Sequence, residues 1–125
     1  MLTNRACFVP VSIVLAAPYN LPWTSSIFAT VSATNAYGTS ADSAPGDGAV
    51  IVTVPNPPTN LANNSTLTTA YQIGFTWSPA TFNGGTPLIS YKINYDQGIG
   101  VWMMLQQNVL VTNYLLTGLT AGRTY

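Results

Sequence analysis

Two alternating stretches decide the fold: residues 70–77, AYQIGFTW, and residues 88–95, LISYKINY. In the first stretch every second residue from Tyr71 to Trp77 is apolar or aromatic, and in the second the same holds from Ile89 to Tyr95. Successive side chains of a strand point to opposite sides, so this alternation is typical of a strand with one buried face. Both stretches therefore predict strands with one aromatic face.

Four more short runs rich in β-forming residues surround these strands, at residues 27–35, 49–54, 101–105 and 109–116. Glycine and proline, with 10 and 9 copies, separate the runs. No stretch shows the apolar period of an amphipathic helix with capping residues. Short strands broken by turn residues predict an all-β sandwich or barrel.

Charged residues make up only 5% of the chain, against about a quarter in an average globular protein. The formal net charge is zero, and the sequence contains neither histidine nor glutamate. A neutral chain has no electrostatic footprint for nucleic acid, and a chain without histidine and with one cysteine is a poor zinc ligand. Nucleophilic catalysis needs a base beside the nucleophile, and none is evident. We therefore expect no enzyme activity, no cofactor and no nucleic-acid partner.

Three oxygen-bearing residues lie close together in a loop rich in glycine and proline: Asp42, Ser43 and Asp47. They could contribute to a calcium site, but turn formation by aspartate before serine or glycine is the favoured interpretation. Trp102 follows a glycine turn on a predicted edge strand. Packing is favoured for its side chain over a role as an exposed binding aromatic.

The beginning of the chain has two interpretations. Residues 1–17 carry Arg5, an apolar stretch and a pair of small residues, as a signal peptide does, whereas residues 8–15 also fit a strand. Cys7 is the only cysteine, so no disulfide can form within the chain. A buried apolar thiol is favoured, and an intermolecular thiol is the alternative. No run of 18 apolar residues predicts insertion into a membrane.

Residues 55–60 interrupt the β pattern with three prolines. Proline cannot donate to a central ladder and favours a stiff, extended chain. We interpret this segment as a linker between two modules.

The residues after the linker resemble the first two-thirds of a fibronectin type III module. The resemblance runs in chain order through Pro58 and Leu61 as strand A, Phe75 and Trp77 as strand B, residues 83–88 as the B–C loop, Tyr91, Ile93 and Tyr95 as strand C, and Tyr114, Leu116, Gly118, Leu119 and Tyr125 as the E–F turn. Each motif is weak alone, but their order and spacing are specific. The resemblance implies a core around Trp77 and Tyr91, with Leu119 beside Tyr125 at a tyrosine corner.

The residues before the linker resemble the last strands of such a module. Ile27 to Asn35, followed by Gly38 and Ser40, resembles strand F with the F–G turn, and residues 49–54 would be strand G. Leu21 precedes Ile27 by the same six positions that separate Leu119 from Tyr125. In this register residues 8–15 would be strand E, and Ile27 lacks the hydroxyl of a tyrosine corner.

The expected architecture is therefore a fibronectin type III-like, immunoglobulin-like antiparallel β-sandwich made of two incomplete modules. Residues 1–54 would supply strands E, F and G of one module, and residues 61–125 strands A to E of the next. Besides the core residues of the second module, the resemblance marks Val31, Asn35 and Gly38 as fold-defining in the first.

The resemblance implies a non-catalytic spacer or adhesive module of a secreted or cell-surface array. Its partners would be other copies or neighbouring modules, and also cell-surface or matrix proteins. A ligand-binding module of a receptor ectodomain and an accessory module of a secreted enzyme are the alternatives. Asn63 and Asn64 begin two overlapping acceptor triplets for N-glycosylation. Because each half carries what the other lacks, we expect self-association into a filament by strand donation.

Overall fold

A computed structural model describes residues 6–46 and 48–125, and it is mostly β. The chain divides into two compact units. The first contains the described residues up to Val54 together with Gly84–Thr86, and the second contains Pro55–Asn83 and Pro87–Tyr125. No helix among the described residues is long and apolar enough to cross a membrane.

Five strands in two antiparallel sheets form the second unit. One sheet has the order β3 (Thr59–Asn63), β4 (Gln72–Ser78) and β7 (Asn113–Thr117). The other pairs β5 (Tyr91–Tyr95) with β6 (Met103–Val109). The strands β4 and β5 are the two alternating stretches of the sequence, shortened at their first residues.

The core of the second unit lies where side chains from the two sheets meet. Trp77 of β4, Ile93 of β5 and Val109 of β6 are buried. The rings of Trp77 and Tyr91 meet edge to face, with centroids 5.4 Å apart and an interplanar angle of 75°. Such aromatic pairs add about 0.5–1.5 kcal/mol beyond the area they bury. The two sheets therefore pack in a sandwich-like arrangement around Trp77.

The segment after β7 is fixed by Tyr125. The backbone N–H of Thr120 donates a hydrogen bond of 3.0 Å to the Tyr125 hydroxyl oxygen, five residues along the chain. Leu119, which is half-buried, donates its own N–H to the Tyr71 carbonyl over 3.0 Å. A tyrosine hydroxyl bonded to backbone a few residues upstream is the geometry of a tyrosine corner.

A long hairpin, residues 24–51, dominates the first unit. Its tip consists of β1 (Thr34–Asn35) and β2 (Gly38–Thr39). The Asn35 side chain accepts the N–H groups of Tyr37 (2.8 Å) and Gly38 (3.2 Å), and this Asx-type turn reverses the chain. At the base, Thr24 and Ile27 donate to the carbonyl oxygens of Ile51 and Ala49 over 2.8 and 3.0 Å. The two runs at residues 27–35 and 49–54 therefore belong to the two arms of one antiparallel hairpin.

Two serine hydroxyls complete the ladder of the hairpin. Ser40 and Ser43 donate their N–H groups to the carbonyl oxygens of Ala33 and Val31, and their Oγ atoms accept the N–H groups of the same two residues. Each hydroxyl also donates to the carbonyl of the following alanine, at 2.8 and 2.9 Å. The return arm bonds the facing arm only at every third residue, through Ser40, Ser43 and Gly46. At the two serines, the side-chain oxygen therefore accepts the N–H that a backbone carbonyl would accept in a regular ladder.

Close backbone approach requires glycine at one position of the return arm. A Cβ on Gly48 would overlap the backbone carbonyl of Ile27. This approach brings the base of the return arm against the outgoing arm, where Ile51 is buried.

Three expectations for the first unit differ from the structure. The strand predicted over residues 8–15 is wrong, because Val11–Leu15 forms a short helix, α1, that begins after Pro10, where a helix tolerates proline. Val31 was expected to define the fold, yet it is 72% exposed, since no described residue covers its face of the hairpin. Cys7 is exposed rather than buried. Residues 1–5, which include Arg5 of the signal-peptide interpretation, lie outside the described residues.

The boundary between the modules also shifts. The strand β3 begins at Thr59, inside the linker predicted over residues 55–60. Asn56 donates its N–H to the Phe82 carbonyl over 3.0 Å, which ties the linker to the loop between β4 and β5. The connection between the first unit and β3 therefore has only the four residues 55–58.

Replacing Trp77 with alanine should destabilise the second unit by about 3–5 kcal/mol, because it removes the largest buried side chain between the sheets. Denaturant unfolding followed by circular dichroism measures this loss. Trp102→Ala is the matched control, since Trp102 is 72% exposed and its loss should cost within about 0.5 kcal/mol. Equal midpoints for the two variants would contradict the assignment of the core.

Replacing Tyr125 with phenylalanine should remove one ionisation step from the tyrosine titration. The hydrogen bond from the Thr120 backbone N–H lowers the pKa of Tyr125 from its ordinary value of 10.0, against a smaller opposing effect of desolvation. A lowered pKa means that the folded chain gains stability as pH rises through that pKa, with the full gain above the unfolded value. Absorbance of tyrosinate against pH measures the step.

The matched control for this titration is Tyr37→Phe, at a tyrosine that is fully exposed at the hairpin tip. This control leaves the hydrogen bond between Thr120 and Tyr125 in place, so the lowest step, assigned to Tyr125, should remain. A lowest step that survives in Tyr125→Phe would contradict the hydrogen bond to Thr120.

Candidate interaction surface

A groove of about 520 Å³ runs between the two sheets of the second unit. We call it the sheet groove. Its apolar lining comes from both sheets and from the segments beside them: Leu61, Ile73, Phe75, Trp77, Tyr91, Ile93, Tyr95, Trp102, Leu105, Leu116 and Tyr125. Four polar residues also border the groove: Asn63, Lys92, Asn94 and Asp96. A mainly apolar wall with some polar groups is typical of surfaces that bury a partner.

The sheet groove is open because the sheet that contains β5 ends there. Within the described residues β6 is the only strand that pairs with β5, so the opposite side of β5 is a sheet edge. An unpaired edge presents a row of N–H and C=O groups to any incoming strand. Tyr91, Ile93 and Tyr95 alternate along β5 toward the groove, whereas Lys92 and Asn94 are exposed.

One buried polar atom in the wall of the groove has no partner. The Nε1 atom of Trp77 is buried and makes no hydrogen bond within the described residues. A buried N–H without an acceptor costs about 1–3 kcal/mol. The core beside the groove therefore retains one donor that no described residue satisfies.

Large side chains at the mouth of the groove are accessible. Leu61 of β3 is 73% exposed although it lines the groove. Trp102 was expected to pack, and that expectation is wrong, because its indole stands mostly in solvent at the same mouth. Leu61 and Trp102 together form an apolar rim. An alternating sequence pattern could not predict this rim, because every residue of β3 is exposed and the strand has no buried face.

A receptor module would bind its ligand through the loops at residues 36–48 and 79–87, and these loops carry little chemistry. Tyr37 is 99% exposed at the hairpin tip, whereas Phe82 is half-buried. Ser43 of the calcium hypothesis is engaged in the hairpin ladder, and Asp47 lies outside the described residues. The described residues hold no group of three or more His, Cys, Asp or Glu side chains that could bind a metal ion.

The two glycosylation acceptors differ in their surroundings. Asn63 is the last residue of β3 and is exposed, and its side-chain oxygen accepts the Thr68 hydroxyl. Asn64 is half-buried, and its side-chain oxygen accepts both the N–H (3.2 Å) and the hydroxyl (2.7 Å) of Thr66. Its backbone carbonyl also accepts the N–H groups of Leu67 and Thr68. Asn64 thus belongs to a tight turn, whereas Asn63 has room for a glycan.

The ladder role of Ser40 and Ser43 was missed in the sequence, although a signal exists. The dipeptide Ser-Ala occurs twice at an interval of three residues, at 40–41 and 43–44. Serine side chains readily bond nearby backbone groups, so this spacing is typical of an arm that needs side-chain acceptors.

No family model matches the chain, and no curated protein matches it either.

If the chain passes through a secretory pathway, we expect the glycan on Asn63. Ser65→Ala removes only the acceptor triplet of Asn63, and Thr66→Ala removes only that of Asn64. Expression in a secreting eukaryotic cell followed by intact mass measurement should show the glycan in Thr66→Ala and not in Ser65→Ala. The reverse pattern would mean that the turn around Asn64 does not restrict modification.

Proposed function

We propose that this chain is a non-catalytic structural module of a secreted or cell-surface array, related to fibronectin type III modules, in which it acts as a spacer or adhesive element. The observation that carries the proposal is the Tyr125 corner, beside a two-sheet unit packed on Trp77. A tyrosine corner of this kind is a hallmark of immunoglobulin-type sandwiches. Its hydrogen bond joins the turn after β7 to the Tyr125 ring, which lines the sheet groove.

The order of elements in the second unit supports the same family. The pairing β3–β4–β7 in one sheet and β5–β6 in the other is the arrangement A–B–E and C–C′ of a fibronectin type III module. The hairpin of the first unit has the pairing and Asx-type turn that strands F and G would need. These two arrangements support the proposed relation to fibronectin type III modules.

The surface chemistry supports a structural role over catalysis. The whole sequence holds six charged residues and no histidine, and its polar surface comes mainly from Thr, Ser and Asn. Hydroxyl and amide side chains suit the solvent faces of strands. The concave feature of the second unit is apolar and open along a strand edge, which suits association with another polypeptide better than a reacting small molecule.

The location tests this function directly. An antibody against the chain should label intact cells that produce it, or their medium, without permeabilisation. Digestion of the native protein with an amidase that removes N-glycans should also reduce its mass, as Asn63 predicts. Labelling only after permeabilisation, together with an unmodified mass, would contradict an extracellular module.

A further inference from the structure

The hairpin of the first unit has a free edge. Ile27 bonds the return arm through its N–H, Ala29 through its carbonyl, and Val31 through both groups. Backbone groups of a strand alternate in direction, so those of Phe28 and Thr30 point away from the return arm. Within the described residues, neither of these two residues, nor Ser32, makes a backbone hydrogen bond.

One face of the same arm is small, apolar and uncovered. Ala29, Val31 and Ala33 alternate along it, and all three are exposed, with Val31 at 72%. Phe28 projects from the opposite face and is 65% exposed. The outgoing arm therefore offers an unpaired edge and an apolar face on one short segment.

The sheet groove offers the complement of that segment. The strand β5 has an unpaired edge, and its Tyr91, Ile93 and Tyr95 side chains line the sheet groove. The zero net charge of the chain means that two copies do not repel one another. A second copy therefore brings the matching edge and face without an electrostatic penalty.

We propose that the sheet groove binds the hairpin of a second copy of this chain, which pairs antiparallel with β5 and extends its sheet. This inference rests on the structural role proposed above and names the partner. Residues directly opposite on antiparallel strands share a face, so the apolar residues of the arm must lie opposite those of β5. Val31 then faces Ile93, with Ala33 opposite Tyr91 and Ala29 opposite Tyr95.

This register matches the side-chain sizes of the two strands. Two alanines lie opposite two tyrosines, so small side chains leave room for large ones in the groove. Thr30 and Ser32, with free backbone groups, lie opposite Asn94 and Lys92 on the solvent face. The paired segment, residues 29–33, spans about 13 Å, which is the length of β5 from Tyr91 to Tyr95.

The hairpin of the same chain does not reach this position without strain. Thr59 pairs with Ser78, next to Trp77, and therefore lies near the Tyr91 end of β5. In the proposed register Ile51, bonded to Ser25, lies about 26 Å away along the strand direction. The chain from Ile51 to Thr59 has eight residue steps and spans about 26 Å when fully extended. It would have to cover about 26 Å along the strand and also about 10 Å from one sheet to the other, so it is too short.

The resulting contact is head-to-tail, because the hairpin of one copy enters the groove of the next. Such heterologous contacts propagate into open filaments unless the rotation between copies closes a ring. Each copy in the filament would use its own groove and its own hairpin once.

Light scattering after size-exclusion chromatography tests the proposal on the whole chain, whose mass is 13.3 kDa. The wild-type mass should grow with concentration in the micromolar range. Val31→Lys disables the hairpin face and Leu61→Lys disables the groove, and each side chain is exposed in the free chain, so both variants should fold and stay at the mass of one chain. Circular dichroism checks that they fold.

Mixing the two disabled variants provides the decisive result. One intact groove and one intact hairpin remain in the mixture, so it should form a two-chain complex and nothing larger. Phe28→Lys is the matched control, because Phe28 lies on the opposite face of the same arm, and this variant should assemble like the wild type. Amide exchange at Lys92 and Asn94 should slow as assembly proceeds.

A wild type of one-chain mass at every concentration would overturn the proposal. It would also be overturned if Phe28→Lys blocked assembly as fully as Val31→Lys, since that result indicates non-specific apolar association. A mixture of Val31→Lys and Leu61→Lys that stays at the mass of one chain would also overturn the proposal. None of these outcomes bears on whether the chain is extracellular, so the proposed function is judged separately by antibody labelling.

Discussion

The contact between the rings of Trp77 and Tyr91 is the constraint on which the second unit depends. It joins a strand of one sheet to a strand of the other, and the remaining buried residues, Ile93 and Val109, lie around it. Without this contact neither sheet has a reason to face the other, because β3 is exposed throughout and β6 buries little besides its last residue. The Tyr125 corner, the sheet groove and the open edge of β5 are all consequences of how these two sheets meet.

The elements with strict alternation could be predicted from the sequence. The strand β5 falls within its alternating stretch, and β4 extends only one residue beyond its own. Trp77 lies in the core because its side of β4 is the aromatic one. The helix α1 could not be predicted in this way. Four of its five residues, Val11, Ile13, Val14 and Leu15, are β-branched or leucine and suit a strand in isolation, yet Pro10 starts a turn there instead.

The interaction surface was harder to predict than the core, for a physical reason. A pattern of apolar residues indicates which face of a strand avoids water, but it does not indicate whether another element covers that face. Val31 and Leu61 both belong to apolar patterns, and both are mostly exposed. Exposed apolar area on this scale is typical of proteins that bind other polypeptides, and only the arrangement of the strands reveals where that area lies.

The serine ladder makes the two arms of the hairpin unequal in length. Between Ser40 and Gly46 the return arm advances six residues while the facing arm, from Ala33 to Ala29, advances four. The two surplus residues represent about 7 Å of stored contour length, held by side-chain hydroxyl bonds rather than by a full backbone ladder. This part of the return arm is therefore longer in contour than the strand that it faces, and the interval between the two serines sets the difference.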